Sequence, residues 1–303
     1  GASIAVYVIA ISSIILLTGY SGQVSLGHGA LMAVGAYAAA VLRIEFNVPI
    51  ILCFVAAVLA AAIGGALLGA AAARLSGPYL AGTTLALAVG LPSLANQFTV
   101  LGGEQGLIFD VGFPPLSLGE DFTQYKWFFW IAALAALISM WIIRNILSSQ
   151  FGRAWRAGRG HEVAAQLAGI NTARSKVLAF TISAGIAGLA GALLAMTIGT
   201  VSPSAFPLSL SFAVLTGAVL AGITTLGGVI LGAFVLVVIP EIADVIAHRL
   251  GTSESITTNL PGLIVSGLLI LTVLFVPNGP VEQHRARKAK HEALLGSTHK
   301  KMQ

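Results

Sequence analysis

Charged residues are scarce in this sequence. Lysine, arginine, aspartate and glutamate together supply 9% of its 303 residues, whereas hydrophobic residues supply 57%. A soluble globular domain carries about 25% charged residues, so a chain of this composition lacks the polar surface that a water-soluble fold requires. With a mean hydropathy of +0.93, the sequence predicts an integral membrane protein and excludes a disordered or collagen-like chain.

Cysteine and alternating strand patterns are lacking too. The single cysteine, Cys53, excludes an intrachain disulfide. A transmembrane β-barrel needs strands that alternate apolar and polar residues, but the apolar runs here are continuous. Because a helix needs about 20 apolar residues to cross a membrane, the sequence predicts an all-α, polytopic transmembrane bundle of about 8–10 spans. The runs place nine spans at residues 2–18, 26–42, 48–73, 77–100, 127–143, 177–198, 208–223, 227–247 and 260–277.

Acidic residues are missing from the centres of the predicted spans. Glu241 and Asp244 come nearest and lie toward the end of the eighth span. Ion-coupled carriers place ionisable groups within the membrane, so this absence argues against a stand-alone, ion-coupled secondary transporter, the alternative from another functional class. The chain also lacks the GxxxxGK[ST] loop that cradles nucleotide phosphates. If the chain transports a solute, its energy source is therefore expected to lie elsewhere.

Basic residues are concentrated in two segments. Six of the 16 lysines and arginines lie in residues 144–176 and six lie in residues 281–303. Positively charged loops stay on the cytoplasmic side, and the even number of predicted spans between the two segments agrees with that assignment. The sequence predicts a transmembrane domain over residues 1–280, a basic cytoplasmic tail over 281–303 and an N-terminus outside. The tail histidines lack ligand-like spacing, so no metal site is expected.

A six-residue pattern bounded by glycines occurs twice. Residues 22–27 read GQVSLG and residues 222–227 read GITTLG, each at the edge of an apolar run. Interrupted hydrophobic segments at corresponding places in two halves of a transporter point to its binding site. Non-helical backbone is tolerated at membrane depth only where protein or a wet cavity satisfies it. We therefore expect broken or re-entrant segments along a solute pathway, with both copies running in the same direction.

His28 directly follows the first copy of the pattern, within a group of uncharged polar side chains. A proton relay is one interpretation of this histidine. A packed, hydrogen-bonded imidazole is the favoured interpretation. Uncharged hydroxyl and amide groups suit a passage that binds a solute briefly and releases it. The predicted pathway residues are Gly22, Gln23, Ser25, Gly27, His28, Thr83, Thr84, Gly222, Thr224, Thr225 and Gly227.

The segment 144–176 is the second candidate site. Its arginines 153, 156 and 159 recur every three residues, so a helix places them loosely on one face. After Gly160, a short helix is predicted over residues 162–168, and Gly169 suits a left-handed stop. A compact, Ala-rich helix of this kind either docks into a groove of another protein or forms an ordinary solvated loop. The pattern alone leaves both interpretations open.

Several segments together resemble one known family. Glu162-Val-Ala-Ala followed by Gly169 resembles the EAA-type coupling loop of ABC-importer permeases. The segments GYSGQVSLGHGALMAVGAYAAAV, GPYLAGTTLAL, LGGEQGL, FGRAWRAGRGHEVAAQLAGINTARSKVLAFTISAGIAGLAGAL and PGLIVSGLLILTVLFVPNGP are similar to the membrane subunit of branched-chain amino acid ABC importers, of the LIV type and M-like branch. The resemblance covers nearly the whole chain in family order. Val163 interrupts the first Glu-Ala pair, and glycines flank Arg159 before the helix.

The resemblance implies a permease subunit without enzymatic activity of its own. Two ATP-binding subunits are expected to hold ATP and magnesium and to dock on the 144–176 loop, and this chain is expected to bind no cofactor. Further implied partners are a second permease subunit (a sister H-type chain or a second copy), an extracytoplasmic solute-binding protein and membrane lipid, with no nucleic acid. The residues implied in ATPase coupling are Arg153, Arg156, Glu162, Ala164, Ala165 and Gly169.

The implied solute is a branched-chain or related amino acid. Relatives that carry urea, short amides or aromatic acids share the same features, so these substrates remain alternatives. The implied location is the bacterial cytoplasmic (inner) membrane, with several passes through it.

Overall fold

A computed structural model of the chain describes residues 1–75, 77–112, 114, 122–249 and six single positions between 263 and 274. Within these residues the chain forms ten α-helices and one two-stranded ladder. The helices are α1 (Ala2–Ile14), α2 (His28–Phe46), α3 (Ile50–Ala72), α4 (Pro78–Gln97), α5 (Gln124–Ser148), α6 (Gln150–Gly160), α7 (Glu162–Leu167), α8 (Thr172–Ile198), α9 (Leu208–Ala221) and α10 (Val229–Arg249). The strands are β1 (Leu107–Ile108) and β2 (Thr200–Val201), and α1 continues as a π-helical stretch, Ile15–Tyr20.

The polytopic helical bundle predicted from the apolar runs is confirmed. In the described part of the chain, seven helical segments are long and apolar enough to cross a membrane, namely Ala2–Tyr20, His28–Phe46, Ile50–Ala72, Pro78–Gln97, Gln124–Ser148, Thr172–Ile198 and Pro203–Ala221. An eighth apolar segment, Leu226–Ile242, is shorter. These eight follow the first eight predicted spans. The ninth predicted span lies outside the continuously described residues, as does the tail at 281–303.

Helix α8 lies at the centre of the bundle and is packed through small residues. A Cβ atom on Gly69 of α3 would lie 2.8 Å from the Cα atom of Val177, so α3 contacts α8 almost backbone to backbone. On the other side, Gly35 of α2 lies directly against the backbone of Gly188. Lipid tails are as apolar as the helix surfaces, so the hydrophobic effect does not drive helices together within the membrane. They associate instead by close backbone approach of this kind. Gly65 and Gly69 of α3, spaced as GxxxG, both lie directly against α8, so this spacing serves helix packing.

Helices α3 and α5 present large apolar side chains on the surface of the bundle. On α3 these include Leu59, Ile63 and Leu67, and on α5 they include Leu137 and Trp141. Such a surface is stable in contact with lipid tails but not with water. Large apolar side chains of α3 and α5 thus cover part of the outside of the bundle. The inside is formed by the largely buried α1, with its large aliphatic side chains, and by the small residues of α2 and α8.

The two ends of the bundle carry different sets of connections. At one end the backbone N–H of Phe109 donates to the carbonyl oxygen of Gly199 at 2.9 Å, and β1 pairs antiparallel with β2. With the N-terminus outside, the span count places both of these connections outside. At the other end, α6 contacts the end of α1 through Arg159, which donates to the carbonyl oxygen of Gly19. The relative sides of the connections agree with the span count.

Helices α1 and α9 run in the same direction. A Cβ atom on Gly217 would lie 2.5 Å from Cδ1 of Ile11. Beyond this contact, Gly19 in the π-helical continuation of α1 lies directly against the carbonyl group of Ile223, two residues after α9 ends. Residue numbers therefore rise together along the contact. This is the parallel relationship that the span count predicts for the segments preceding the two GxxxLG patterns.

Candidate functional site

The first GxxxLG pattern forms a re-entrant segment. Residues 22–27 are non-helical, and they lead the chain back from the end of α1 into the bundle. His28 begins α2 there, with its Nε2 atom 3.0 Å from Oγ of Ser183, whose hydroxyl donates to the carbonyl oxygen of Ser13 at 2.7 Å. Ser13 lies seven residues before Tyr20, or about 10 Å of helical rise. Helix α2 therefore starts inside the bundle, and the prediction of a broken, re-entrant segment is confirmed.

The backbone of this segment finds its hydrogen-bond partners in side chains of neighbouring helices. The N–H of Leu26 donates to Oγ1 of Thr84 at 3.0 Å, and the N–H of Gly29 donates to Oγ of Ser211 at 2.9 Å. A free helix N-terminus inside a membrane protein needs partners of this kind, because lipid supplies none. The hydroxyl groups of Thr84 on α4 and Ser211 on α9 thus satisfy backbone N–H groups that the break in the helix leaves without helical partners.

Glycines in the segment allow close approach to these partners. A Cβ atom on Gly27 would lie 2.5 Å from the carbonyl oxygen of Thr84, and one on Gly29 would lie 2.7 Å from Oγ of Ser211. Gly22 has φ +74°, which favours glycine, and its Cα is covered by the stem of Arg159. The glycine spacing read from the sequence therefore reflects contacts that larger residues would prevent.

The hydrogen bonds of His28 fit a neutral, packed imidazole. Ser183 gives its hydroxyl hydrogen to Ser13, so it accepts from Nε2–H of His28. Oγ of Ser25 lies 3.2 Å from Nδ1 and can donate to it. Both ring nitrogens are thus occupied, and the residue is fully buried. This arrangement favours the packed interpretation of His28 over the proton relay.

The second GxxxLG pattern contacts Gly19, which precedes the first pattern, and has a different shape. Gly222 has φ +86°, and Oγ1 of Thr225 donates to the carbonyl oxygen of Ala221 at 2.9 Å. Residues 222–228 then turn the chain directly into α10, since Gly228 lies against the carbonyl of Ala221. The same sequence pattern therefore forms a turn at the bundle end here and a re-entrant segment at residues 22–27.

The predicted pathway residues fall into three groups. Gln23, Ser25, His28 and Thr84 come together around the re-entrant segment. The second-copy residues 222, 224, 225 and 227 lie in the separate turn after α9, which contacts Gly19 through Ile223. Thr83 is exposed on α4 and its hydroxyl donates to Leu80 of its own helix at 2.8 Å, so it does not join either group. That these residues line the passage remains a prediction.

Sequence reasoning missed the two serines that complete the site. Ser183 and Ser211 lie 155 and 182 residues from their partners in the chain. Each is a single small polar residue within a helix rich in glycine, alanine and leucine, which gives no local signal of its role. The sequence clue to Ser183 is its hydroxyl group, which lies among the glycines and alanines of the small-residue face of α8.

The segment between α5 and α8 forms two short helices, and the second, α7, corresponds to the helix predicted over residues 162–168. Ser149 caps α6 by accepting from the N–H of Phe151 at 3.2 Å, and extended His161 separates α6 from α7. Gly169 has φ +85°, and the N–H of Ile170 donates to the carbonyl oxygen of Ala165 at 3.0 Å. The left-handed stop predicted at Gly169 is confirmed.

Two of the three arginines of α6 contact the end of the helical stretch that begins with α1. Arg159 donates to the carbonyl oxygen of Gly19, and the Arg156 guanidinium carbon lies 5.8 Å from the centre of the Tyr20 ring. Arg153 donates to Ser148 at 3.3 Å and remains exposed. We name α6 and α7, residues 150–167, the coupling segment.

Helix α7 exposes apolar side chains and turns its carboxylate toward α8. Val163 is 60% exposed and Leu167 is 86% exposed, while Ala165 is buried and Ala164 is exposed. Oε1 of Glu162 forms an ion pair with Nζ of Lys176 at 2.7 Å. A short helix that is anchored by an ion pair and carries bare leucine and valine side chains has the form of a docking element. Its contact with an ATPase remains a prediction.

Comparison with known proteins identifies the family. Residues 2–274 match the family described as branched-chain amino acid transport system / permease component. This chain belongs to that family. It is therefore a permease component of an ABC importer and a multi-pass membrane protein.

The curated relatives include both permease types of one transport system. The chain is 31% identical over 315 residues to the high-affinity branched-chain amino acid transport system permease protein LivM of Escherichia coli K12, covering 96% of this chain and 71% of the relative. It is 30% identical over 191 residues to LivH of the same organism, covering 63% of this chain and 54% of the relative. The autoinducer 2 import system permease protein LsrC of Yersinia pseudotuberculosis is 30% identical over 46% of the chain. No solved structure matches.

Proposed function

We propose that this permease carries branched-chain or related aliphatic amino acids across the bacterial cytoplasmic membrane, driven by two ATP-binding subunits that dock on the coupling segment. The observation that carries the proposal is the contact between Arg159 and Gly19. It joins the segment that faces the ATPase directly to the base of the re-entrant segment. A push on α6 thereby moves the non-helical stretch 22–27 and changes access to the passage.

The docking surface on this chain is α7. Val163 and Leu167 supply exposed apolar contacts, and Gly169 sets the angle at which the chain leaves the helix. ATP and magnesium belong to the partner subunits, and this chain contributes only the mechanical link. At the opposite end, the β1–β2 ladder joins the two outer loops into one surface for a solute-binding protein.

A second permease subunit is proposed to cover α4. The most apolar stretch of α3 has a mean hydropathy of 2.7 and that of α4 only 1.3. In each helix, however, the same small share of that stretch, 22%, is buried inside the bundle. The exposed surface of α3 is stable in contact with lipid tails. The exposed surface of α4 is less so, because polar groups in contact with lipid tails are destabilising. The relative LivH, a permease of the second type, supports a partner of the same kind on this surface.

The exposed face of α4 has the form of a helix–helix contact. Gly82, Ala86 and Gly90 follow one another at intervals of four, and Cβ atoms on the two glycines would meet nothing within 4 Å. Exposed Ser93 and Gln97 continue the same face. Small residues with polar neighbours are what membrane helices use to approach each other closely. The proposed partner is a sister H-type chain or a second copy of this chain.

Reconstitution in vesicles tests the proposed function. The complete transporter, with ATPase subunits and binding protein, is expected to accumulate leucine when ATP is supplied and to show no accumulation with a sodium or pH gradient alone. Urea, short amides and phenylalanine serve as competing solutes, and failure of these to displace leucine supports the aliphatic class. Glu162→Lys should retain ATP hydrolysis but lose uptake, since it reverses the charge facing Lys176. Gradient-driven uptake without ATP would contradict the proposal.

A further inference from the structure

A cavity of about 360 Å³ lies between the re-entrant segment and the coupling segment. It is bounded by the start of the re-entrant segment, the end of α3, the start of α4 and the junction of α6 with α7. Ligand pockets for small molecules begin at about 300 Å³, so the cavity has the volume for one small solute. It lies at the end of the bundle that carries the coupling segment, beyond the hydrogen-bonded start of α2.

The polar part of its lining carries both signs of charge. Arg159, Glu162 and Lys176 all line the cavity, and the last two form the 2.7 Å ion pair. Gln23 is 4% exposed, and its Oε1 has no hydrogen-bond partner among the described residues. Ser21 lines the cavity beside it. The cations offer donors to a carboxylate, while Glu162 and the carboxamide of Gln23 offer acceptors to an ammonium group.

The remaining lining is apolar and matches an aliphatic side chain. Val24 comes from the re-entrant segment, Ala72 and Leu75 come from the end of α3, and Leu80 comes from α4. Burial of an aliphatic group in such a lining is favourable, because it removes apolar surface from water. Charges of opposite sign beside an apolar surface, within one small cavity, are complementary to a zwitterion that carries a hydrocarbon side chain.

We propose that this cavity is an inhibitory binding site for an aliphatic amino acid, entered from the side of the coupling segment. A ligand there touches Arg159 and Glu162 of the coupling segment together with Gln23 of the re-entrant segment. It holds the two segments in one relative position and so opposes the movement that the ATPases drive. Solute accumulated on the inner side thereby slows its own import. The identity of the ligand rests on the proposed function, whereas its zwitterionic chemistry rests on the cavity.

The experiment uses the complete transporter in vesicles, with binding protein and leucine inside and ATP supplied outside. ATP then reaches only those molecules whose coupling segment faces outward. Leucine added outside is expected to reduce ATP hydrolysis progressively to a low plateau. Two leucine analogues at the same concentrations, 4-methylpentanoate without the ammonium and 3-methylbutylamine without the carboxylate, are expected to have little effect. Equal inhibition by either analogue would overturn the zwitterion assignment.

Variants assign the inhibition to this cavity. Lys176→Gln removes one partner of the ligand carboxylate and should raise the inhibitory concentration of leucine about tenfold. Leu75→Phe fills the apolar part and should abolish inhibition while leaving basal hydrolysis intact. Arg174→Gln is the matched control, because Arg174 is exposed on the same helix and does not line the cavity. Inhibition that is unchanged in both cavity variants overturns the proposal.

A binding measurement on the wild-type transporter tests the site without relying on any variant to fold. Isotope-labelled leucine should bind saturably to the detergent-purified transporter in the absence of binding protein, and its absence overturns the site. Normal ATP-driven import of leucine with no effect of outside leucine overturns the inhibitory site and leaves the proposed function standing. A transporter that neither imports leucine nor hydrolyses ATP in response to it overturns the proposed function.

Discussion

Arg159, in the last turn of α6, donates a hydrogen bond to the carbonyl oxygen of Gly19, where α1 ends. One turn earlier, Arg156 lies 5.8 Å from the centre of the Tyr20 ring. Gly19 and Tyr20 immediately precede the re-entrant segment, so two cations of the coupling segment hold its base. A displacement of α6 therefore reaches the non-helical backbone in one step.

The bond between Arg159 and Gly19 gives the first prediction. Arg159→Gln removes a charged donor, and hydrogen bonds to charged groups contribute about 1.5–3 kcal/mol. We expect leucine taken up per ATP hydrolysed to fall about tenfold in vesicles, while ATP hydrolysis continues. Arg74→Gln, an exposed basic residue at the end of α3, should leave this ratio unchanged. An unaltered ratio in Arg159→Gln would refute the mechanical link.

The left-handed conformation of Gly169 gives the second prediction. Gly169→Val places a branched side chain at φ +85°, where an L-residue is destabilised by about 1–2 kcal/mol or more. The angle at which the chain leaves α7 should change, and fewer ATPase subunits should co-purify with the permease. Gly160→Val is the control, because a Cβ atom on Gly160 meets open space at an ordinary φ. Equal recovery of ATPase subunits with both variants would contradict the docking role of α7.

The hydroxyl of Ser183 gives the third prediction. Ser183→Ala leaves Nε2–H of His28 and the carbonyl oxygen of Ser13 without their partner, and a buried unsatisfied group costs about 1–3 kcal/mol. The midpoint of thermal unfolding in detergent should fall clearly below that of the wild type. Thr181→Ala on the same helix removes only a bond to Val177 of α8 itself and should shift the midpoint less. Similar shifts in the two variants would show that the interhelical bonds add no stability.

The bare face of α4 gives the fourth prediction. A cysteine introduced as Ala86→Cys in a Cys53→Ala background should react with a membrane-permeant maleimide when the chain is produced alone. In the assembled transporter the same thiol should be protected, because the second permease covers it. Ile63→Cys on the lipid-facing side of α3, 65% exposed, should react in both states. Labelling of Ala86→Cys in the assembled transporter at the rate of the isolated chain would place the partner elsewhere.

Much of the architecture was predictable from the sequence, and particular residues show why. Continuous apolar runs fix the spans, because about 20 residues must cross the membrane. The GxxxLG pattern at residues 22–27 indicated a break in the helix, and Gly169 indicated the end of α7. These signals are local: each depends on residues adjacent in the chain and on the conformations that glycine alone adopts readily.

The remaining parts of the candidate site depend on contacts between distant residues. The two GxxxLG copies look alike, yet only the first re-enters the bundle, since Thr84, Ser183 and Ser211 receive its backbone and its histidine. The direction of the α6 arginines was likewise not readable, because a spacing of three gives a helix face but not the element that this face meets.

The sequence by itself determined that this chain crosses the membrane many times as helices and belongs with importer permeases, and it predicted that the energy for transport comes from another subunit. Those conclusions follow from hydrocarbon thickness, the absence of buried acidic groups and local motifs. Only the tertiary structure decided that α2 begins inside the bundle and that Arg159 joins the coupling segment to Gly19. Backbone groups deprived of water must find partners wherever the packed helices bring them, and that pairing exists only after folding.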